Sequence, residues 1–363
     1  MSAIRDGLIT VYYLFDVAES IDLSAVPRLF EGQTAAARLV PKPATPAYLQ
    51  FRQPPLMVDG DLLQQGELNG FRVRAKLYDY GVVSLALTRR FSGSWHDLLG
   101  IGQEVVGSPG LDAAAEQCAR RLVARITPAL DTIKDTYLAE DYVVFAATAL
   151  ETPMTADALL DAHGATIAQL LRAERDELSR QERDEVLRHR LSYLADDLAV
   201  PTWSAAFVCD TEAGVQAALE IFEFANSQLL EFRYYDARLD RELARIYADL
   251  QKPRWYDVLG RRRIRAVNEL QSLFIDVNEL SDKTENALKL VGDVYAARLY
   301  NLVAARLGLD RWKANVEEKL DTLNDIYRFA VEQLQIARGH LLELTIILIL
   351  VLELVLFFLG IMK

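Results

Sequence analysis

The residue types that most often carry chemistry are present in this sequence, but scattered. The four histidines, His96, His163, His189 and His340, are not spaced with one another or with a cysteine as zinc ligands are. Gly100-Ile101-Gly102 lacks the third glycine of a dinucleotide-binding turn, and no lysine follows a glycine-rich loop as in a triphosphate cradle. No serine occupies a Gly-x-Ser-x-Gly elbow. Asp196-Asp197 is an adjacent acid pair of the kind that forms turns. Cys118 and Cys209 lie far apart in apolar surroundings, which reads as two buried, inert thiols. The sequence therefore offers no catalytic residue, metal ligand, cofactor or small-molecule substrate, and the expectation is a protein that is not an enzyme.

Two features stand out. The first is KPRWYDVLGRRRIR, residues 252–265, in which Lys252, Arg254, Arg261, Arg262, Arg263 and Arg265 face one acid, Asp257. Trp255 and Tyr256 are interleaved. A net charge of −12 argues against a general nucleic-acid binder. A local patch of this kind can still hold phosphates of RNA or of lipid headgroups, and it can equally be a solvated helix start. The second feature is the pair Glu343 and Glu353 inside LLELTIILILVLELVLFFLG, residues 341–360. Ten residues of helix place the two acids on one half of the cylinder, ~15 Å apart.

The elements that must position these residues change character along the chain. ITVYYLFDVA (9–18) is β-branched and aromatic, as in a buried strand, and DLSAVPRLF follows as a short helix. AYLQF (47–51) reads as a strand stopped by Pro54-Pro55. In FRVRAKLYDYGVVSLALTRR (71–90), Phe71, Val73, Ala75 and Leu77 alternate with Arg72, Arg74 and Lys76, and Gly81 marks the turn of a hairpin. A helix from about Asp112 to Ile126 is broken by Pro128. The same order then recurs: a strand (141–150), a helix in TADALLDAHGATIAQLLRAE, a hairpin over 190–210 with an Asp-Asp turn, and a long helix from Thr211-Glu212. RAERDELSRQERDE (172–185) reads as a solvated stretch. This pattern predicts an α+β body with helices packed on antiparallel sheets, in two lobes, 1–136 and 137–250.

Strand signals vanish after residue 211. Leu270, Leu273, Val277, Leu280, Ala287, Val291 and Val294 form a heptad-like seam, Gly308 interrupts it, and a second helix restarts at Leu309. Two long helices joined by a short turn predict an antiparallel hairpin stalk over 251–340. The stretch 341–362 reads as a transmembrane helix. Its fifteen Leu, Ile, Val and Phe residues from Leu344 onward contribute about −7 kcal/mol to insertion, against about +3 for one central acid. The expectation is a tail-anchored protein, single-pass at its C-terminus, with its body in the cytoplasm.

LSYLADDLAVPTWSAAFVCD (191–210), NSQLLEFRYYDARLDREL (226–243) and the ending ARGHLLELTIILILVLELVLF resemble the "required for meiotic nuclear division" family of mitochondria and bacteria. The resemblance covers roughly residues 137–363. It implies a membrane-anchored protein that forms a large homo-oligomer and supports translation, and it brings no catalytic residues. With no transit peptide at the N-terminus, a bacterial inner-membrane member is expected. The functional expectation is a membrane-tethered, self-assembling scaffold with ribosome or RNA as a partner. The rival reading is an oligomeric channel with Glu353 lining its interior, and the third is an enzyme whose site the sequence does not reveal.

Overall fold

Strands rich in β-branched and aromatic residues form one eight-stranded sheet. The computed structural model describes residues 3–30, 38–39, 54–59, 70–250 and 294–358. The strands are β1 (Ile4–Ile21), β2 (Arg38–Leu39), β3 (Leu56–Asp59), β4 (Arg72–Leu77), β5 (Val82–Gly93), β6 (Leu130–Leu150), β7 (Leu198–Pro201) and β8 (Ala205–Cys209). Their spatial order is β2-β3-β4-β5-β1-β6-β8-β7. All neighbours are antiparallel except β6 and β8, which run parallel with Val143 opposite Ala205. The sheet is therefore mixed, where purely antiparallel sheets were expected. Both rounds of the sequence pattern contribute to it, and residue 137 lies inside β6.

The long central strands are buried on both faces, which is why β1 reads as an almost unbroken apolar run. On one face Val11, Phe15, Leu85, Val143 and Phe145 belong to a core shared with five helices. These are α1 (Val26–Leu29), α2 (Trp95–Val105), α3 (Pro109–Ile126), α4 (Ala156–Arg172) and α5 (Arg180–Arg188). Helix α2 starts at a capping box in which Ser94 and Asp97 satisfy each other's backbone N–H groups. The other face carries Tyr12, Leu14, Tyr142 and Val144 and is covered by α6 (Glu212–Leu250). There the Tyr142 ring stacks on Phe222 with centroids 5.6 Å apart. Helix α7 (Val294–Leu307) packs against α6, with Tyr300 donating to the Gln228 side chain and its ring 6.0 Å from Phe224.

The chain divides into two compact units, Met1–Tyr234 with Asp282–Trp312, and Tyr235–Ser281 with Lys313–Lys363. The second unit includes the C-terminal part of α6 and most of α8 (Leu309–Phe358). Within it Lys319 bridges Asp236 and Asp240 at 2.7 and 2.6 Å. Gly308, at φ +67°, separates α7 from α8, as its place in the sequence predicts. The AYLQF strand and the first arm of the expected stalk lie outside the described residues.

Three expectations need correction. Among the described residues no helix is long and apolar enough to cross a membrane. The apolar part of α8 contains both Glu343 and Glu353. The transmembrane helix over 341–362, the tail-anchored arrangement, the bacterial inner-membrane location and the cytoplasmic placement of the body are thus not supported. A channel lined by Glu353 would need such a span. Second, the 190–210 stretch makes two turns where one was expected: Asp196-Asp197 lies in the turn that closes the Leu191–Ala199 antiparallel bridge, where the buried Asp197 carboxylate accepts the N–H groups of Tyr193 and Leu194, both at 2.6 Å, and β7 and β8 turn again at residues 202–204. Third, Lys76 breaks the polar side of its hairpin. Arg72 and Arg74 are exposed, but Lys76 is buried beneath α6.

Candidate functional site

Helix α6 meets the sheet with a polar stripe. Glu220, Glu223, Ser227, Glu231 and Tyr234 recur every three or four residues, so they share one side of the helix. Opposite them stand side chains from three strands and a turn. The Lys76 ammonium of β4 donates to Glu220 at 2.7 Å and also to Glu223. The Tyr12 hydroxyl of β1 donates to the Leu219 carbonyl at 3.1 Å. Tyr80, in the turn between β4 and β5, shares a 2.8 Å hydrogen bond with Ser227.

The stripe has a second node at its far end. Asp16 of β1 is fully buried and both its oxygens accept from Lys134 of β6. Lys134 reaches it because β6 leaves the regular register there: Asp16 pairs with Leu138, yet Ala18 pairs with Ile133. Thr132, at φ +48°, lies just before the bulge, between Asp131 and Ile133, which pair with Ser20 and Ala18. The Lys134 ammonium also lies 3.3 Å from the centroid of the Tyr234 ring, and the Tyr234 hydroxyl donates to Glu19 at 2.6 Å. Arg233 of α6 pairs with Glu140 nearby.

Lys76 is thus shared by two acids, whereas Lys134 is held by both oxygens of one, Asp16, with Glu19 nearby. At the first node burial opposes the charge of Lys76, but Glu223 and Glu220 hold its ammonium above the usual lysine range. Burial raises the pKa of Glu223, Lys76 lowers it, and Glu220 raises it again. At the second node burial pushes Asp16 up to about 6, against the pull of Lys134 and with a further push from Glu19. Burial first, and Glu223 second, keep the Tyr12 phenol neutral. Chemically, this arrangement sets buried carboxylates beside ammonium groups, with burial favouring the neutral form of Asp16 and Glu223.

The remaining titratable groups have structural surroundings. His163 stacks on Trp95 at 4.4 Å, and burial lowers its pKa. Cys118 and Cys209 are free and buried. Burial pushes the Cys209 thiol up to about 11, helped by Asp210, and burial also raises Cys118. Among the described residues no group of three or more His, Cys, Asp or Glu is placed to hold a metal ion.

The structure does not bring the sequence candidates into this site. Glu343 and Glu353 are exposed on α8. Lys252, Arg254, Arg261, Arg262, Arg263 and Arg265 lie outside the described residues. The residues that do form the seam were passed over, although the sequence carried a signal for them. Asp16 interrupts the apolar run ITVYYLFDVA, and Glu220 and Glu223 interrupt an apolar helix in ALEIFEFANS. An acid inside a buried pattern needs a partner.

Comparison with known proteins places the chain. A family described as "Uncharacterized protein MJ0711, N-terminal domain" matches residues 6–216. The chain belongs to this MJ0711 N-terminal-domain family. The uncharacterized protein MJ0711 of Methanocaldococcus jannaschii is 26% identical over 218 residues, 60% of this chain and 65% of that relative. The chain thus spans about 65% of the length of the curated relative it matches. No solved structure matches. The MJ0711-family segment contains Asp16, Lys76 and Lys134 on the sheet side of the seam. It ends at residue 216, before Glu220 and Glu223 on the helix side.

Proposed function

We propose that this MJ0711-family chain is an interaction protein that assembles with copies of itself, and not an enzyme. The observation that carries this reading is the apolar end of α8. From Leu342 to Val355 the large hydrophobic side chains are between 46% and 68% exposed, and they point in every direction around the helix. A helix that is apolar all round needs neighbours on all sides. Its exposed apolar area is on the order of 1,000 Å², comparable to the ~800 Å² that each partner contributes to a standard interface. Other copies of the same helix fit this requirement, because they offer the same apolar surface, interrupted only by Glu343 and Glu353. The surroundings of the perturbed acids favour a non-catalytic reading as well, since they face one another in a closed interface.

The test is the mass of the full chain in mild detergent. The parent is expected to run as an oligomer, and the double variant Ile346→Glu/Leu350→Glu as a smaller species with unchanged far-UV circular dichroism. A double variant of parental mass removes α8 from the assembly.

The finer resemblance to the "required for meiotic nuclear division" family supports a role for the assembly in translation. In this reading the stretch 252–265 is the contact with ribosomal RNA. Changing Arg261, Arg262 and Arg263 together to Glu is expected to weaken RNA binding by tenfold or more at low salt, with the difference shrinking as salt rises. Equal binding of parent and variant at low salt excludes the stretch as the contact.

A further inference from the structure

The stripe under α6 is an unusual way to fasten a helix to a sheet. An apolar stripe would hold it irrespective of pH. Here one edge is apolar, with Phe222 stacked on Tyr142, and the other is a row of carboxylates against two lysines. The Lys76 node has a surplus acid, and at the Lys134 node the buried Asp16 has Glu19 beside it, while Arg233 of α6 is paired with Glu140 of β6. Lys76 is faced by Glu220 and Glu223, with Ser84, Tyr12 and Tyr78 around Glu223. Lys134 holds Asp16, with Glu19 beside it and Tyr234 over the ammonium. Between the nodes Tyr80 meets Ser227, near Asp79 and Glu231. In a poorly hydrated interface two carboxylates and one ammonium leave a net negative charge, and a proton is the smallest group that cancels it.

We propose that the sheet-bound part of α6, Glu212 to Tyr234, is a proton-operated latch: it closes on the sheet with protons held at the Lys76 and Lys134 nodes, and it loosens as those protons leave. This goes beyond self-assembly and does not depend on it. The sign follows from linkage. When α6 lifts, Asp16 and Glu223 return to water and to ordinary carboxylate behaviour, so the open state binds fewer protons than the closed one. Closure is then strongest at low pH and weakens as pH rises. For Asp16 the window runs from its ordinary value of 3.8 to about 6. Between pH 5 and pH 7 this group alone raises the opening constant of α6 roughly tenfold.

Native-state hydrogen exchange tests the latch on the full chain. Amides of Leu219 to Leu230 are followed at pH 5, 6 and 7, with the intrinsic pH dependence of exchange divided out. The expected result is a roughly tenfold gain in α6 opening across this range, and no such gain in α3 on the opposite face. Asp16→Asn should flatten the dependence, and Glu223→Gln should reduce it at the other node should the first variant fold poorly. The proposal is overturned if α6 opens equally at pH 5 and pH 7. It is also overturned if α3 opens in step with α6, or if a folded variant keeps the full parental dependence.

Discussion

Lys76→Met is expected to cost about 3 to 5 kcal/mol of stability, read from urea unfolding followed by circular dichroism. The substitution keeps most of the side chain's apolar length, so packing under α6 changes little. It removes the one cation that Glu220 and Glu223 share. Glu223 is buried and has no route to water while α6 stays down. An uncompensated buried carboxylate must either take a proton or lift the helix, and both are costly. Adding Glu223→Leu to Lys76→Met should therefore return most of the loss, which no additive pair of harmful substitutions does. A loss below about 1 kcal/mol for Lys76→Met would mean that the acids reach solvent without it, and the seam would then contribute little to holding α6.

Gly81→Ala is the second large effect, expected at about 3 kcal/mol from two additive causes. Gly81 has φ +90°, where an L side chain costs about 1 to 2 kcal/mol. A Cβ there would also stand 1.9 Å from the Ala18 carbonyl oxygen, which is backbone in the middle of a sheet and cannot move aside. The turn lies that close because its backbone bonds to β1: Val17 donates to the Gly81 carbonyl at 3.0 Å, and Ile21 to Asp79 at 3.0 Å. The same turn carries Tyr80 to Ser227, so the variant should also disturb the seam. Gly70→Ala separates the two causes. Gly70 has φ +77° but nothing within 4 Å of its missing Cβ, so its loss should stay near 1 to 2 kcal/mol. Equal losses at the two positions would show that the clash with Ala18 is relieved.

Much of the architecture was legible in the residues because it rests on local pattern. The β4–β5 hairpin, the break at Pro128, the helix over 156–172, the helix from Glu212 and the division at Gly308 all stand where periodicity and turn chemistry put them. Burial of both cysteines followed from their apolar neighbours. Hydropathy was the weaker guide at α8: a long apolar run suggested a membrane span, but among the described residues no helix meets the requirements for crossing one.

What the sequence by itself determined, then, is which segments are strands and helices and which of their sides are apolar. Only the tertiary structure decided which polar residues meet. Lys76 looks like the third member of an exposed row with Arg72 and Arg74, and nothing within β4 distinguishes it. It is buried because α6, 144 residues further along the chain at Glu220, lies across that end of the strand. Asp16 finds Lys134 across 118 residues, and only because a bulge in β6 turns the lysine back. Local periodicity encodes the face a residue occupies, but the partner on that face is set by the order of strands and the path of a helix over them. Those are properties of the whole fold, and the buried polar seam exists only there.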